Sequence, residues 1–141
     1  MTLEDKILKE YRTVAIVGAS SDPERPSFRV VRYLSKHGYN VIPVNPNERE
    51  ILGMTCYPNL SSIPEKVEVV DIFRKSEAVM PIVEEAIRIG AKAIWMQEGV
   101  INEEAAARAR DAGLLVVMDK CMRKEHLRLS RRISRHADVA K

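Results

Sequence analysis

Residues 14–34 read VAIVGASSDPERPSFRVVRYL. A run of apolar residues of strand length stops at Gly18, and from Ser27 apolar residues recur at helical spacing. Strand, tight turn, helix is the opening unit of an α/β domain with an anion-binding loop. A dinucleotide fingerprint would place three glycines here, whereas this loop has Gly18 alone, followed by Ala19, Ser20, two prolines and Arg25. A side chain at Gly18 would obstruct a ligand or strain the turn, and the amides near Ser20 and Ser27 lie toward the positive end of the helix dipole. Pro23 and Pro26 stiffen the loop, and the guanidinium of Arg25 suits a phosphate. Two readings are open at this point: an anion site, or a tight turn with a capping serine.

Outward from this stretch the chain alternates. Apolar runs of strand length stand at 13–17 (TVAIV), 40–44 (NVIPV), 67–73 (VEVVDIF), 91–96 (AKAIWM) and 114–118 (LLVVM). Helical patterns lie between most of them, and those at 27–38, 76–90 and 102–113 each close on a glycine where a left-handed cap is expected. A lead-in helix is expected over 3–12. Strands of near-continuous Val and Ile, separated by helices, predict a Rossmann-like, doubly wound parallel sheet buried on both faces. The expected order of its five strands is 3-2-1-4-5, with the ligand cleft above the carboxyl ends of strands 1 and 3. One connection, 45–66, is irregular and proline-rich, with an extra short strand expected at MTCYP (54–58).

The 141 residues fit one domain, 1–141, with a core over 13–120 and a basic C-terminal helix over about 121–136. Two cysteines and 30% charged residues suit a soluble protein in a reducing compartment, and the cytoplasm is the expected location. No apolar run approaches the ~20 residues of a membrane span, and the first residues do not read as a signal peptide. The net charge of +3 conceals an asymmetry: residues 120–141 carry eight Lys or Arg against two acids, a local +6, and leave −3 for residues 1–119. Met122, His126, Leu129 and Ile133 form one stripe of that segment, so it reads as a solvated amphipathic helix. Without interleaved aromatic residues to stack bases, no nucleic-acid partner is expected.

In a parallel sheet the residues just after each strand meet the ligand, here 18–25, 45–47, 74–76, 97–99 and 119–121. Strand 2 ends VIPVNPN, without the carboxylate that would accept bonds from an NAD ribose, and no Gly-Lys-Ser/Thr follows strand 1. A phosphorylated adenosine held differently from NAD fits best. His37, His126 and His136 have no partners at metal-ligand spacing, and a Gly-x-Ser-x-Gly elbow is missing.

VAIVGAS (14–20), PERPSFRVVRYLSKHGYNVIPVNP (23–46), EVVDIFRKSE (68–77) and AIRIGAKAIWMQEGVINEEAAARARDAGLLVVMDKC (86–121) together resemble the small stand-alone CoA-binding proteins of bacteria and archaea. Those proteins are similar to the N-terminal CoA-binding domain of the succinyl-CoA synthetase α subunit. The resemblance implies that Gly18, Ala19 and Ser20 hold the CoA phosphates with Arg25 as their basic partner. It implies that Val44, Asn45 and Pro46 border the adenine nucleotide. Phe73, Arg74 and Ser76 would wall the other side, and Met96 and Gln97, with Glu98 beside them, would follow the pantetheine arm. Many relatives have a lysine after the NP turn; here Asn47, Glu48 and Arg49 follow, and Arg49 is the candidate substitute. Arg29, Arg74 and Lys75 join Arg25 as cations for the roughly four charges of CoA.

The expected partner is CoA or acyl-CoA, bound without catalysis, because the ligase's phosphohistidine domain and nucleotide-grasping subunit have no room in 141 residues. Oligomerisation is not readable. Two enzymatic alternatives stand beside this reading. Cys121 follows strand 5 at the start of a helix, near Lys120 and Arg123; it is either a buried structural cysteine or a thiol that exchanges with CoA or its disulfide. The second alternative is a dinucleotide-dependent oxidoreductase. Glu98 and Asp119 are either acid and base or acceptors for helix ends and water.

Overall fold

The computed structural model describes the backbone of residues 1–140 and the side chains of 1–136; Lys141, the last charge of the basic segment, lies outside the described residues. In chain order the elements are α1 (Leu3–Glu10), β1 (Thr13–Val17), α2 (Pro26–Ser35), β2 (Asn40–Val44), β3 (Glu50–Ile51), β4 (Met54–Thr55), β5 (Val69–Ile72), α3 (Val79–Arg88), β6 (Ala93–Met96), α4 (Glu103–Asp111), β7 (Leu115–Val117) and α5 (Met122–Ala140). Strands β1, β2, β5, β6 and β7 form one five-stranded parallel sheet, the doubly wound α/β fold expected from the alternation. β3 and β4 pair as a small antiparallel hairpin within the irregular connection. None of the described helices is long and apolar enough to cross a membrane.

The strand order corrects one expectation. It runs β2-β1-β5-β6-β7, which is 2-1-3-4-5 and not 3-2-1-4-5. Two residue-level causes are visible. Pro43 has no N–H to give a second neighbour, so its strand belongs at an edge. On the open side of β2, Pro43 O accepts from Tyr57 N–H at 3.1 Å and Asn45 N–H donates to Tyr57 O at 2.9 Å. Conversely, all four residues of β5 are buried, which suits a central strand covered on both faces. The chain therefore crosses over β1 between β2 and β5, and Leu60, Ile63 and Val67 of that crossover join the core. This order sets the ends of β1 and β5 side by side, at the point where the direction of winding reverses.

Side chains alternate between two layers, as period-two strands require. Ala15, Val17, Val70, Ile72, Ile94 and Met96 face α3, α4 and the crossover, whereas Val14, Ile16, Val69, Ala93 and Trp95 face α1, α2 and α5. α4 starts as expected: Asn102 Oδ1 accepts from Ala105 N–H at 2.9 Å. α5 begins at Met122 and is tied to α1 by Arg132, whose guanidinium donates to both oxygens of Asp5 at 2.6 Å. Asp71, in the middle of β5, lies in register with Ile16 and Trp95 and is fully buried. Neither carboxyl oxygen has a hydrogen-bond partner among the described residues, and burial pushes its pKa well above the usual carboxylate range.

Candidate functional site

The exit of β1 is built around Gly18. Its N–H donates to Val44 O at 3.0 Å, its φ is +90°, and the backbone of Phe73 passes so close that a Cβ here would fall 2.3 Å from Phe73 O. Only glycine lets the exits of β1 and β5 touch. The loop after it is held from β2: Asn45 Nδ2 donates to Ala19 O at 2.7 Å, and Ser21 N–H donates to Glu48 Oε2 at 2.9 Å. Inside the loop, Ser20 Oγ accepts from Asp22 N–H and Asp22 Oδ1 from Glu24 N–H, both at 3.0 Å.

The loop delivers the chain to an α2 terminus without a side-chain cap. Arg25 is the N-cap residue and makes no capping bond, Pro26 has no N–H, and Phe28 N–H turns back to Arg25 O at 3.1 Å. Ser27 N–H finds no partner among the described residues. An amide donor at the positive end of a helix is left facing the loop.

Three cavities open along the carboxyl ends of the strands. The central one, about 360 Å³, is lined by Gly18, Ser20, Arg25, Ser27, Asn45 and Arg74, among others. On one side lies a cavity of about 200 Å³ whose wall includes Gly18, Val44, Pro46, Pro58, Leu60 and Ile82. On the other lies one of about 390 Å³, with Arg29, Val30, Phe73, Gln97, Cys121 and Arg123 in its wall. Arg74 lines all three, so they meet at this residue and form one groove. Among the described residues the guanidinium of Arg74 makes no hydrogen bond or ion pair with the protein, and neither do those of Arg25 and Arg123.

The far wall is more engaged. Gln97 is 4% exposed, and its Oε1 accepts from Met122 N–H at 3.1 Å, so a side chain from the end of β6 caps α5. Cys121, 8% exposed, occupies the N-cap position, its carbonyl accepting from Glu125 N–H at 3.0 Å. Glu98 holds Lys124 Nζ at 2.9 Å, and this bond, followed by the carboxylate's charge, raises the Lys124 pKa. Asp119 Oδ1 accepts from Gly99 N–H at 2.7 Å and fixes the loop after β6.

Of the residues singled out in the sequence, Gly18, Ser20, Arg25, Val44, Asn45, Pro46, Phe73, Arg74 and Gln97 line the groove. Three do not. Met96 is fully buried on the α3 and α4 face, Ala19 is fully buried on the other, and Ser76 accepts from Ile101 N–H at 3.0 Å and locks the two loops together. Arg29 lines the largest cavity, whereas Lys75 lines none of the three. Pro58, Leu60 and Ile82 form an apolar wall that no single sequence window announces; Val30 and Lys124 reach the groove from helices.

The sequence pattern of the CoA binding domain matches residues 12–127. The uncharacterized protein YneT of Bacillus subtilis is 36% identical over 121 residues, which make up 86% of this chain and 90% of that one. A solved structure of a hypothetical protein from Pyrococcus horikoshii OT3 superposes with a TM-score of 0.88 at 49% identity and covers 92% of both chains. Acetate–CoA ligase [ADP-forming] II of Archaeoglobus fulgidus is 32% identical over 95 residues, 66% of this chain, and the match spans 14% of the ligase. In sequence over nearly its whole length, and in fold, the chain belongs to the CoA binding domain family.

Proposed function

We propose that the groove binds coenzyme A or an acyl-CoA and that the domain itself does no chemistry on it. The observation that carries this reading is the position of Arg74, a residue with no side-chain partner among the described residues, where an apolar cavity, an amide-rich loop and a larger half-apolar cavity meet. A molecule with a base at one end, phosphates in the middle and an uncharged arm suits that sequence of environments. The adenine lies toward Pro46 and Leu60, the pyrophosphate between Ser20, Ser27, Arg25 and Arg74, and the arm passes Phe73 toward Gln97.

The polar groups around the groove favour binding over catalysis. Glu98 is paired with Lys124, Asp119 holds Gly99 N–H, and Glu85 accepts from the Leu60 and Ser61 amides. Asn45, where an NAD site wants a carboxylate, spends both ends of its amide on Ala19 O and Asn47 N–H. The two cysteines are unlinked, which agrees with the reducing cytoplasm we assign to the protein.

Titration calorimetry with CoA, dephospho-CoA and NAD tests the reading. CoA should bind most tightly, and dephospho-CoA more weakly if Arg49 reaches the 3′-phosphate. Tighter binding of NAD than of CoA overturns it. Release of free thiol from acetyl-CoA at a rate proportional to protein would overturn the non-catalytic half alone.

A further inference from the structure

We propose that Cys121 is a docking point for the CoA thiol, where CoA disulfide exchanges to leave CoA covalently held in the groove. The inference rests on the CoA reading and adds a covalent step to it. Cys121 sits in the wall of the largest of the three cavities, which shares Pro26, Phe73 and Arg74 with the central cavity beside it. A polyanion anchored at Arg74 therefore has a continuous path for its arm to the thiol.

A second feature of that cavity points to the same ligand. The one hydrogen bond of the Gln97 side chain among the described residues is accepted by Oε1, which leaves the Nε2 donor unpartnered in the cavity wall of a residue 96% buried. An amide donor in a half-apolar wall is the complement of a chain that carries its own amide carbonyls. The pantetheine arm is such a chain, with its thiol at the tip. Gln97 and Cys121 are moreover coupled, since the Gln97 amide caps the helix whose N-cap residue is Cys121.

The step balances without another reagent. The Cys121 thiolate attacks one sulfur of CoA disulfide, a protein–CoA disulfide forms as the CoA–CoA disulfide breaks, and the second CoA leaves as a thiolate that takes up a proton. Cys56 serves as the internal control. It lines none of the three cavities, its thiol donates to Asn45 O at 3.7 Å, and burial raises its pKa.

The experiment incubates the intact protein with CoA disulfide and, separately, with glutathione disulfide at the same concentration, and follows adducts by intact mass and non-reducing peptide mapping. One CoA adduct is expected, on the peptide containing Cys121. It should form roughly tenfold or more faster than the glutathione adduct, because the bound nucleotide raises the local concentration of disulfide. Desulfo-CoA should slow it, and Cys121→Ser should abolish it. No adduct, equal rates with both disulfides, indifference to desulfo-CoA, or modification of Cys56 overturns the proposal. Calorimetry with reduced CoA under reductant separates the two readings: CoA that binds yet forms no adduct sinks the exchange alone, whereas CoA that does not bind sinks both.

Discussion

The Tyr33 hydroxyl lies 2.7 Å from Nδ1 of His126, joining α2 to α5 on the side of the molecule away from α3 and α4. His37 stacks on Tyr33 with ring centroids 3.9 Å apart, and the His37 and His126 rings are 5.6 Å apart. Burial, then the charges of His37 and Arg12, push the His126 pKa below its ordinary value. The folded protein thus favours neutral His126, and the stability this contributes is present above about pH 6.5 and is lost as acid charges the ring. Tyr39 and Ser130 also face the ring, and Arg123 lies near Tyr33, but none of these changes charge in that window. Urea midpoints measured from about pH 7.5 down to about pH 5 should fall more steeply in the wild type than in His126→Phe. Parallel slopes would remove this pair as a source of acid sensitivity.

Asp71 acts in the opposite direction. Its pKa is raised in the folded state, so the unfolded chain releases this proton first and stability declines as pH rises above about 4. By neutral pH the fold carries either a charged carboxylate or the cost of keeping it protonated in an apolar layer. Replacing it with Leu, which matches its shape, should raise stability by about 1–2 kcal/mol at pH 7 and flatten the profile between about pH 4 and pH 7. A denaturant titration in which Asp71→Leu is weaker than wild type at pH 7 contradicts this.

Gly18→Ala is expected to damage stability and binding together. The new methyl group would meet Phe73 O at 2.3 Å, in a backbone conformation that disfavours side chains. The cost is about 3 kcal/mol, and CoA affinity should drop because the separated loops reshape the groove. Gly53→Ala, whose Cβ would meet nothing within 4 Å, is the comparison that isolates the clash from left-handed strain.

Removing the guanidinium at the junction should leave the fold intact, because Arg74 has no protein partner among the described residues. Arg74→Ala should weaken CoA binding by roughly 10–100-fold and make the affinity less sensitive to salt. A thermal midpoint equal to wild type together with a lost salt slope is the expected signature. Unchanged affinity would mean that the phosphates lie elsewhere.

Most of the element pattern was legible because each signal is local. Asn102 announces the start of α4, and Gly38, Gly90 and Gly113 all take left-handed conformations after their helices. Strand order is set by which strand tolerates an open side, and the residue that decides it, Pro43, sits inside a run that otherwise reads like its neighbours. Along the groove, the positions of Gly18, Arg25 and Arg74 were readable because they leave strands or enter a helix at the carboxyl end of the sheet. Met96 in β6 shares the α3 and α4 face with Ile94, one step of the pleat from the groove, which is met by the next side chain, Gln97. Pro58, Leu60 and Ile82 meet only through the crossover, so their convergence is a property of the packed chain.

The open side of β2 presents no row of free donors. Pro43 has none to offer, its carbonyl is occupied by Tyr57, and the next amide outward, that of Asn45, is occupied as well. A foreign segment attempting to extend the sheet there would find its ladder interrupted, so this margin is blunted against runaway pairing between chains by its own covalent structure.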